Sequence, residues 1–402
     1  MHITTHRRII RLSAAMMALG LTAAACSSDG TTDSTDAPAG TEAPTVTDTP
    51  DSSDPRPDAT DSPAGDEPLL ASVDPERCAA NQEAGTITYL SSFDFAAAAS
   101  IIDVVVAEES GYFDDLCLDV ELAPSFSTAN YPIVASDEAQ FSSAGNYTEI
   151  LNNSGNGAEF VAFINYGKSP IEALITPEGG ATELSALAGT TIGVKGDIPP
   201  SIVALLNDAG LTRGVDYQEV LLDGFDPQAH LDTGIDALPV YKSNEPGQLD
   251  AAGRAYTLFD PTEAGIPGSF GLLYTSADFL EAHPTAVEDF ARASLKGMED
   301  AIADPGAAVD MAVDRIDAAG NSNFLTKEGE LFRWEAELAE VVRGTPADEP
   351  VGIVDADLFA AEYAAYVAAG VWPDGAPDDT MPFDTDLAAG LYDADGKVIW
   401  PN

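Results

Sequence analysis

Two short segments combine aromatic rings with a carboxylate, and they carry the clearest chemistry in the sequence. In the first, Phe93 and Phe95 flank Asp94; in the second, Tyr241 and Glu245 are four residues apart. An aromatic ring can stack on a flat heterocycle, and a carboxylate can accept hydrogen bonds from its amino groups. We interpret both segments as candidates for binding an amino-bearing heterocycle. The structural alternatives are a phenylalanine packed in the core and a turn at the surface.

The residue types that nucleophilic or metal catalysis requires form no motif in this sequence. Cys26, Cys78 and Cys117 are far apart, and His230 and His283 fall on predicted helices. A Ser-His-Asp order, a phosphate-binding loop and a cluster of metal ligands are all missing from the sequence. We therefore predict no catalytic residue, no metal site and no cofactor.

The first 25 residues have the pattern of a secretory signal peptide. A basic stretch at 6–11 precedes a run of small and apolar residues at 12–25, which is too short to span a bilayer. The run ends directly before Cys26 and resembles a bacterial lipobox, with Ala23 where leucine is usual. This resemblance implies that Cys26 becomes the lipid-bearing N-terminus. An ordinary signal peptide with an incidental cysteine is the alternative, and the Arg7–Arg8 pair leaves Sec and twin-arginine export both open.

The segment 26–75 consists mostly of Asp, Ser, Thr, Pro, Ala and Gly. Such a composition cannot bury enough apolar surface to offset the entropy of ordering the chain. We predict a disordered, acidic, Ser/Thr/Pro-rich linker that extends the folded part away from the lipid anchor.

Composition and length indicate a large, acidic globular protein. Hydrophobic residues make up 45% of the sequence, and the formal net charge is −51 at pH 7. This charge excludes nucleic acid as a natural partner, because phosphate binding requires a basic surface. Beyond the linker roughly 325 residues remain, more than one hydrophobic core usually holds, so two lobes are expected.

Strand and helix patterns alternate from Gly85 onward. Thr86–Leu90, Cys117–Leu122 and Glu159–Ile164 have strand patterns, and Ala97–Glu109 has that of a largely buried helix. This alternation predicts an α/β fold with a mainly parallel sheet. We place the first part of lobe 1 at 84–170, lobe 2 at 171–261 and the second part of lobe 1, with C-terminal helices, at 262–402. The two crossovers between the lobes would form a hinge.

Cys78 and Cys117 lie close to the starts of the first two predicted strands. If these strands are parallel neighbours, their starts come together, and an exported protein meets oxidising conditions. We predict a Cys78–Cys117 disulfide; two buried thiols are the alternative.

Four stretches carry a resemblance to bacterial solute-binding proteins for thiamine-pyrimidine precursors, alkanesulfonates, taurine and nitrate. Each stretch is weak evidence alone, but their order along the chain is specific. Cys117 stands where that family usually has glycine. The stretches are Ala107–Phe113 with Cys117–Glu121, Leu187–Val194, Asp236–Pro246 and His283–Pro305.

The resemblance implies a type II periplasmic-binding-protein-like fold, with a hinge and a ligand cleft between two lobes. It implies a monomeric, extracellular, lipid-anchored subunit that delivers a small molecule to an ABC permease and its ATPase. The ligand class implied is a heteroaromatic one, such as a thiamine pyrimidine precursor or riboflavin. An alkanesulfonate, taurine or nitrate is the alternative.

In this fold the cleft is built by loops at the carboxyl ends of strands and by helix N-termini. Asn146, Asp197 and Ser201 could instead serve only a helix end, and Tyr166 could belong to the hinge. In the pyrimidine-precursor binders a Tyr and a Glu spaced like Tyr241 and Glu245 engage the heterocycle. The candidate ligand-binding residues are Phe93, Asp94, Phe95, Asn146, Tyr147, Tyr166, Asp197, Ser201, Tyr241, Asn244 and Glu245.

Charge near the predicted cleft favours an amino-bearing ligand over an anion. Lys168, Lys195 and Lys242 lie near it, but Asp94 and Glu245 stand beside aromatic residues. We expect Glu245 to be an exposed cleft carboxylate, so that Glu245→Gln weakens binding without affecting the fold. Glu149 is expected on an outer helix face.

Two other classes of protein compete with this interpretation. A eukaryotic thiamine-pyrimidine synthase shares the fold, but its family carries a cysteine-rich motif and a histidine that this sequence lacks. An adhesive surface lipoprotein would explain the linker but not a two-lobed α/β body. We therefore predict a binding protein and not an enzyme.

Overall fold

The computed structural model describes residues 73–155, 158–323, 325–347, 349–378 and 382–401. The predicted signal peptide, the lipidation at Cys26 and the linker up to residue 72 lie outside these residues. Val73 is already buried in the core, and Asp74 caps a helix that the sequence pattern did not indicate.

The strands of the described residues alternate with helices over most of the chain, as predicted. They are β1 (Thr86–Leu90), β2 (Asp119–Ala123), β3 (Phe141–Ala144), β4 (Phe160–Gly167), β5 (Glu172–Pro177), β6 (Thr191–Val194), β7 (Gln218–Leu221), β8 (Leu238–Tyr241), β9 (Tyr256–Phe259) and β10 (Phe270–Ser276).

The first sheet has five strands in the order β2-β1-β3-β10-β4. Strand β1 is parallel to β2 and β3, whereas β10 is antiparallel to β3 and β4. The predicted mainly parallel sheet is therefore wrong in part. Strand β10 enters this sheet after the chain has passed through β5 to β9, so no short crossover forces it to be parallel.

Two smaller sheets contain all the strands between residues 172 and 259. One has the order β8-β5-β9 and is antiparallel, and the other pairs β6 with β7 in parallel. A single bridge between Ile192 and Ala237 joins the two. The carboxyl ends of β6 and β8 consequently lie near each other.

The helices are concentrated in the last third of the chain. They are α1 (Pro75–Gln82), α2 (Ile102–Glu109), α3 (Tyr112–Asp115), α4 (Ser127–Ala135), α5 (Tyr147–Asn153), α6 (Pro200–Asp208), α7 (Pro227–Asp232), α8 (Glu245–Ala251), α9 (Ala277–Ala282), α10 (Pro284–Ala303), α11 (Pro305–Ala318), α12 (Lys327–Gly344), α13 (Ala356–Ala368) and α14 (Asp386–Ala389). None of these described helices is both long enough and apolar enough to cross a membrane.

Helix α2 begins at Ile102, five residues later than predicted. The backbone N–H groups of Ala97 and Ala99 donate instead to the carboxylates of Glu330 and Glu337, each at 2.7 Å. Residues 97–101 therefore form a loop, because side chains from a distant helix take the hydrogen bonds that a helical turn would use.

The largest core lies between the first sheet and helix α10. Phe290 of this helix stacks on Phe141 with ring centroids 3.9 Å apart and on Phe113 at 5.1 Å. Val287, Phe290 and Met298 of this helix are fully buried. Stacked rings and close packing hold α10 rigidly against the first sheet, in which β1 leads into the loop with Phe93 and Phe95.

The predicted disulfide is confirmed: Cys78 of α1 is bonded to Cys117, with their Cα atoms 5.3 Å apart. Strands β1 and β2 are parallel neighbours, as the prediction required. Cys117 has a φ of +60°, the left-handed region that favours glycine. This conformation explains why glycine suits the same position in the family that the sequence resembles.

Candidate functional site

A pocket of about 110 Å³ lies where β6 and β8 end and α6 begins. Its position, at the carboxyl ends of strands and next to a helix N-terminus, is where α/β folds bind ligands. The predicted residues Asp197 and Tyr241 both line it. The remaining lining residues are Glu172, Val194, Lys195, Pro199, Pro239 and Val240.

Glu172 connects this pocket to the first sheet, and sequence reasoning missed it. Its side chain accepts a hydrogen bond from the Ser201 hydroxyl at 3.1 Å and one from the Asn146 amide at 3.3 Å. Asn146 follows β3 of the first sheet, whereas Ser201 is on α6. Burial of Glu172 raises the pKa of its carboxyl. Two predicted site residues are therefore brought together by a carboxylate.

Glu245 is fully buried, so the expectation of an exposed cleft carboxylate is wrong. One carboxylate oxygen forms an ion pair with Lys195, and the other accepts the backbone N–H of Tyr241 at 2.8 Å. The short turn from β8 into α8 folds the side chain back onto its own loop. Glu245 therefore positions Lys195 and Tyr241 at the pocket.

Tyr241 lines the pocket and is 43% exposed. The protein around the ring nevertheless raises the pKa of its hydroxyl, first by desolvation and then through the charges of Glu172 and Glu149. Glu245 and Glu337 add to this effect. The Tyr241 hydroxyl thus lies in a region of strongly negative electrostatic potential that these carboxylates create.

Glu149 does not lie on an outer helix face, as the sequence analysis expected. One oxygen of its carboxylate accepts the backbone N–H of Gly145 at 2.9 Å. The other is buried and has no hydrogen-bond partner among the described residues. Burial raises the pKa of this carboxyl. Because α5 begins at Tyr147, its first turn directs Glu149 back toward the loop after β3.

In the loop that follows β1, the ring of Phe93 contacts a residue between β7 and β8. Its ring centroid is 6.4 Å from that of Phe225, which precedes α7, and 5.7 Å from that of Phe126. Phe95 is buried against Val105 and other apolar residues, so it packs in the core. Asp94 is buried, and its carboxylate accepts the backbone N–H of Phe95 at 2.9 Å. Asp94 consequently shapes the loop.

Three further predicted residues serve the fold or the loops. Tyr147 is fully buried and stacks on Phe359 with centroids 4.0 Å apart, and Tyr166 is fully buried with its hydroxyl 2.8 Å from Asp103. Both rings belong to the core: Tyr147 is the first residue of α5, after β3, and Tyr166 lies within β4. The Asn244 side-chain oxygen accepts hydrogen bonds and faces α8 and α12.

Every lysine predicted near the cleft has an acidic partner. Lys168 pairs with Glu349 and Lys195 with Glu245. Lys242 lies 3.1 Å from carboxylate oxygens of Asp260 and Glu340. In the part of the chain that the structure describes, no group of three acidic, His or Cys side chains is arranged to hold a metal ion. These lysines are therefore neutralised by their partners, and the site mainly offers hydrogen-bond acceptors to a ligand.

The fold is that of periplasmic binding proteins. It is similar to the periplasmic aliphatic sulphonate binding protein SsuA of Escherichia coli, with a TM-score of 0.55 over 79% of this chain and 92% of that chain, at 11% identity. It is also similar to DszB bound to biphenyl-2-sulfinic acid, with a TM-score of 0.52 over 76% of this chain and 98% of that one, at 13% identity. Likenesses at this identity define the fold.

Residues 98–308 match the family described as NMT1/THI5 like. This match spans more than half of the chain, so the chain belongs to that family, and the predicted resemblance is confirmed. A riboflavin-binding protein, RibY, of Chloroflexus aurantiacus is 30% identical over 38% of this chain and 44% of its own length. A formylaminopyrimidine-binding protein of Halalkalibacterium halodurans is 28% identical over 53% of this chain and 66% of its own length. The chain thus spans less than two thirds of each of these curated relatives.

Proposed function

We propose that this protein is the solute-binding subunit of an ABC importer and that it binds a small, amino-bearing heteroaromatic molecule. The pocket beside Tyr241 carries the proposal, because it combines an aromatic ring with the buried carboxylate of Glu172 at the edge where this fold binds ligands. Membership of the NMT1/THI5-like family supports it. So do the names of the two relatives, one for riboflavin and one for a formylaminopyrimidine.

The proposed cleft lies between two lobes with the predicted bounds, 84–170 with 262–402 and 171–261. The separation of the strands into one sheet before 168 and after 269, and smaller sheets between them, supports this division. The residues that line the present pocket all lie within 171–261, and the pocket is smaller than a typical ligand site, so in an open state the ligand would enter between this pocket and the other lobe. Closing around the ligand would then present both lobes to the permease.

The charges around the pocket favour a ligand with N–H donors. Among the described residues, neither Glu149 nor Glu172 forms an ion pair, whereas Lys195 and Lys242 are both paired. An amino group or ring N–H of the ligand would be attracted to these carboxylates, while a sulfonate would add negative charge next to them. The likeness to SsuA concerns the fold and gives no support for a sulfonate ligand.

The wider assignment is part of the same proposal. The protein would be monomeric, exported and held at the outer face of the membrane by lipid on Cys26. It would not be an enzyme, although its fold is shared with DszB. Incubation with pyridoxal phosphate and iron, followed by mass spectrometry, separates the proposals, because a synthase would release a pyrimidine product and a binding protein would not.

Mass spectrometry of small molecules released from the natively purified full chain tests the ligand class directly. Recovery of an amino-bearing heteroaromatic compound supports the proposal. Recovery of a sulfonate, or release of a converted product, contradicts it.

Tyr241→Ala is expected to weaken binding of the released ligand by roughly 1–3 kcal/mol, because stacking on the ring is lost. Stability should change little, since the side chain is 43% exposed. Titration calorimetry measures the affinity. Tyr256→Ala is a matched control, because Tyr256 is a partly exposed residue of β9 outside the pocket. Equal affinities for the parent and Tyr241→Ala would mean that the pocket is assigned wrongly.

The originally expected probe, Glu245→Gln, is less suitable than it appeared from the sequence. Because Glu245 is buried and paired with Lys195, the change would leave a lysine without its partner and lower stability. A loss of binding in that variant would therefore report on the loop as well as on the ligand.

A further inference from the structure

One face of helix α12 contacts two loops: residues 97–101, which precede α2, and residues 242–244, which follow Tyr241 of the pocket. The residues on this face are Glu330, Arg333, Glu337 and Glu340, spaced three or four apart, so that they lie along one side of the helix. Glu330, Arg333 and Glu337 are buried although they are charged. Helix α12 also lies beyond residues 98–308, the segment that matches the family. The contacts of these three side chains explain why they are buried.

The first of these loops, residues 97–101, lies in the same proposed lobe as α12. Glu330 and Glu337 accept the N–H groups of Ala97 and Ala99, each at 2.7 Å. Trp334, which lies between Glu330 and Glu337 in the sequence, is fully buried. It donates its indole N–H to the carbonyl of Ala301 on α10 at 3.0 Å. Helix α12 is therefore fastened to the first sheet and its covering helices.

The same face also reaches the second loop, which follows β8. The other oxygen of Glu337 accepts the Ser243 hydroxyl at 3.0 Å, and Arg333 donates to the side-chain oxygen of Asn244 at 3.1 Å. Lys242 forms an ion pair with Glu340 at 3.1 Å. These contacts join the helix to the strands between residues 172 and 259.

We propose that α12 is a latch for the closed cleft and that Glu337 is its central positioning residue. One carboxylate oxygen of Glu337 accepts the backbone N–H of Ala99 in the 97–101 loop, and the other accepts the hydroxyl of Ser243 in the loop after β8. When the cleft opens, the bond to Ala99 persists and the bond to Ser243 breaks. The latch rests on the proposed function, since it presumes a ligand held between two lobes. Glu337 acts through Ser243 on the loop that presents Tyr241 and does not need to touch the ligand.

Ser243→Ala removes the contact of Glu337 across the cleft and leaves the contacts of Arg333 with Asn244 and of Glu340 with Lys242 in place. Hydrogen exchange of the ligand-free full chain, followed by mass spectrometry, is expected to show about tenfold faster exchange in peptides covering 238–249, as the loss of one hydrogen bond to a buried carboxylate implies. Peptides covering 97–101 should keep their protection, because the bond between Ala99 and Glu337 remains. Ser243→Thr, which keeps the hydroxyl, should restore the parent pattern, and Glu335→Gln, exposed on the same helix, should have no effect.

Affinity provides the second measurement, with riboflavin and 4-amino-5-hydroxymethyl-2-methylpyrimidine as probes. A probe that binds the parent should bind Ser243→Ala about tenfold more weakly, mainly through faster dissociation. Unchanged exchange at 238–249, or equal loss of protection at 97–101, overturns the latch whether or not a probe binds. If the exchange result holds and neither probe binds the parent, the latch stands and the ligand class of the proposed function is in error.

Discussion

Replacing Cys78 and Cys117 together by alanine is expected to lower the free energy of unfolding by about 4 kcal/mol. The bridge joins residues separated by 39 positions, so without it the unfolded chain gains the conformational freedom of a long loop. The segment it closes contains β1, α2 and the loop that connects them. Urea unfolding followed by tryptophan fluorescence measures the difference, and the slope with urea should also rise because the unfolded chain expands.

Thr86→Ala is the control for this experiment. The Thr86 hydroxyl donates to Asp119 at 2.7 Å across the same two strands, but at an exposed position. Its loss should cost less than about 1 kcal/mol. A double cysteine variant as stable as Thr86→Ala would contradict the expected role of the bridge. Two reactive thiols in unfolded, non-reduced parent protein would contradict the bridge itself.

Lowering the pH from 7.5 to 5.5 is expected to increase the free energy of unfolding by several kcal/mol. Burial raises the pKa of Asp103, Glu337 and Glu362 to about 7 each. Between about pH 4 and pH 7 the folded chain therefore binds protons that the unfolded chain has already released. Stability falls as the pH rises through this window, by about 2 kcal/mol per group over the stated range. Weaker repulsion among the many acidic groups at low pH acts in the same direction.

Glu362→Gln isolates one of these three contributions. Its carboxylate accepts hydrogen bonds from the hydroxyls of Thr148 and Ser269, each at 2.7 Å, and glutamine has nearly the same shape. The pH dependence of the variant should be weaker than that of the parent by about 2 kcal/mol over the same range. Glu335→Gln, at an exposed position, should leave the dependence unchanged. Urea unfolding at several pH values measures all three proteins, and parallel curves for the parent and Glu362→Gln would refute the assignment.

The order of elements could be predicted from the sequence because strand and helix patterns are local. Alternation after Gly85 predicted the α/β fold, and the positions of Cys78 and Cys117 beside neighbouring strands predicted their bond. The direction of β10 could not be predicted. Whether a strand that returns to a sheet runs parallel or antiparallel depends on the path of the whole intervening chain.

The candidate site was predictable at the level of loops and less so at the level of side chains. Asp197 and Tyr241 do line one pocket, since loops at strand ends converge in this fold. Phe95, Tyr147 and Tyr166 were placed in the cleft by the same rule, yet they are buried in the core. Local sequence identifies a loop, but the neighbours of that loop decide which of its residues turn inward.

The sequence by itself determined the class of fold, the disulfide, the family and the loops that border the pocket, because each depends on residues close together in the chain or on their order. Only the tertiary structure decided which carboxylates are buried. Glu337 and Ser243 are 94 residues apart and meet at 3.0 Å, while Glu172 lies between side chains from two different sheet regions. A carboxylate on a helix or strand looks like a solvated surface residue until distant segments fold over it. The physical reason is that desolvation arises from contacts between distant segments, and local sequence patterns contain no record of those contacts.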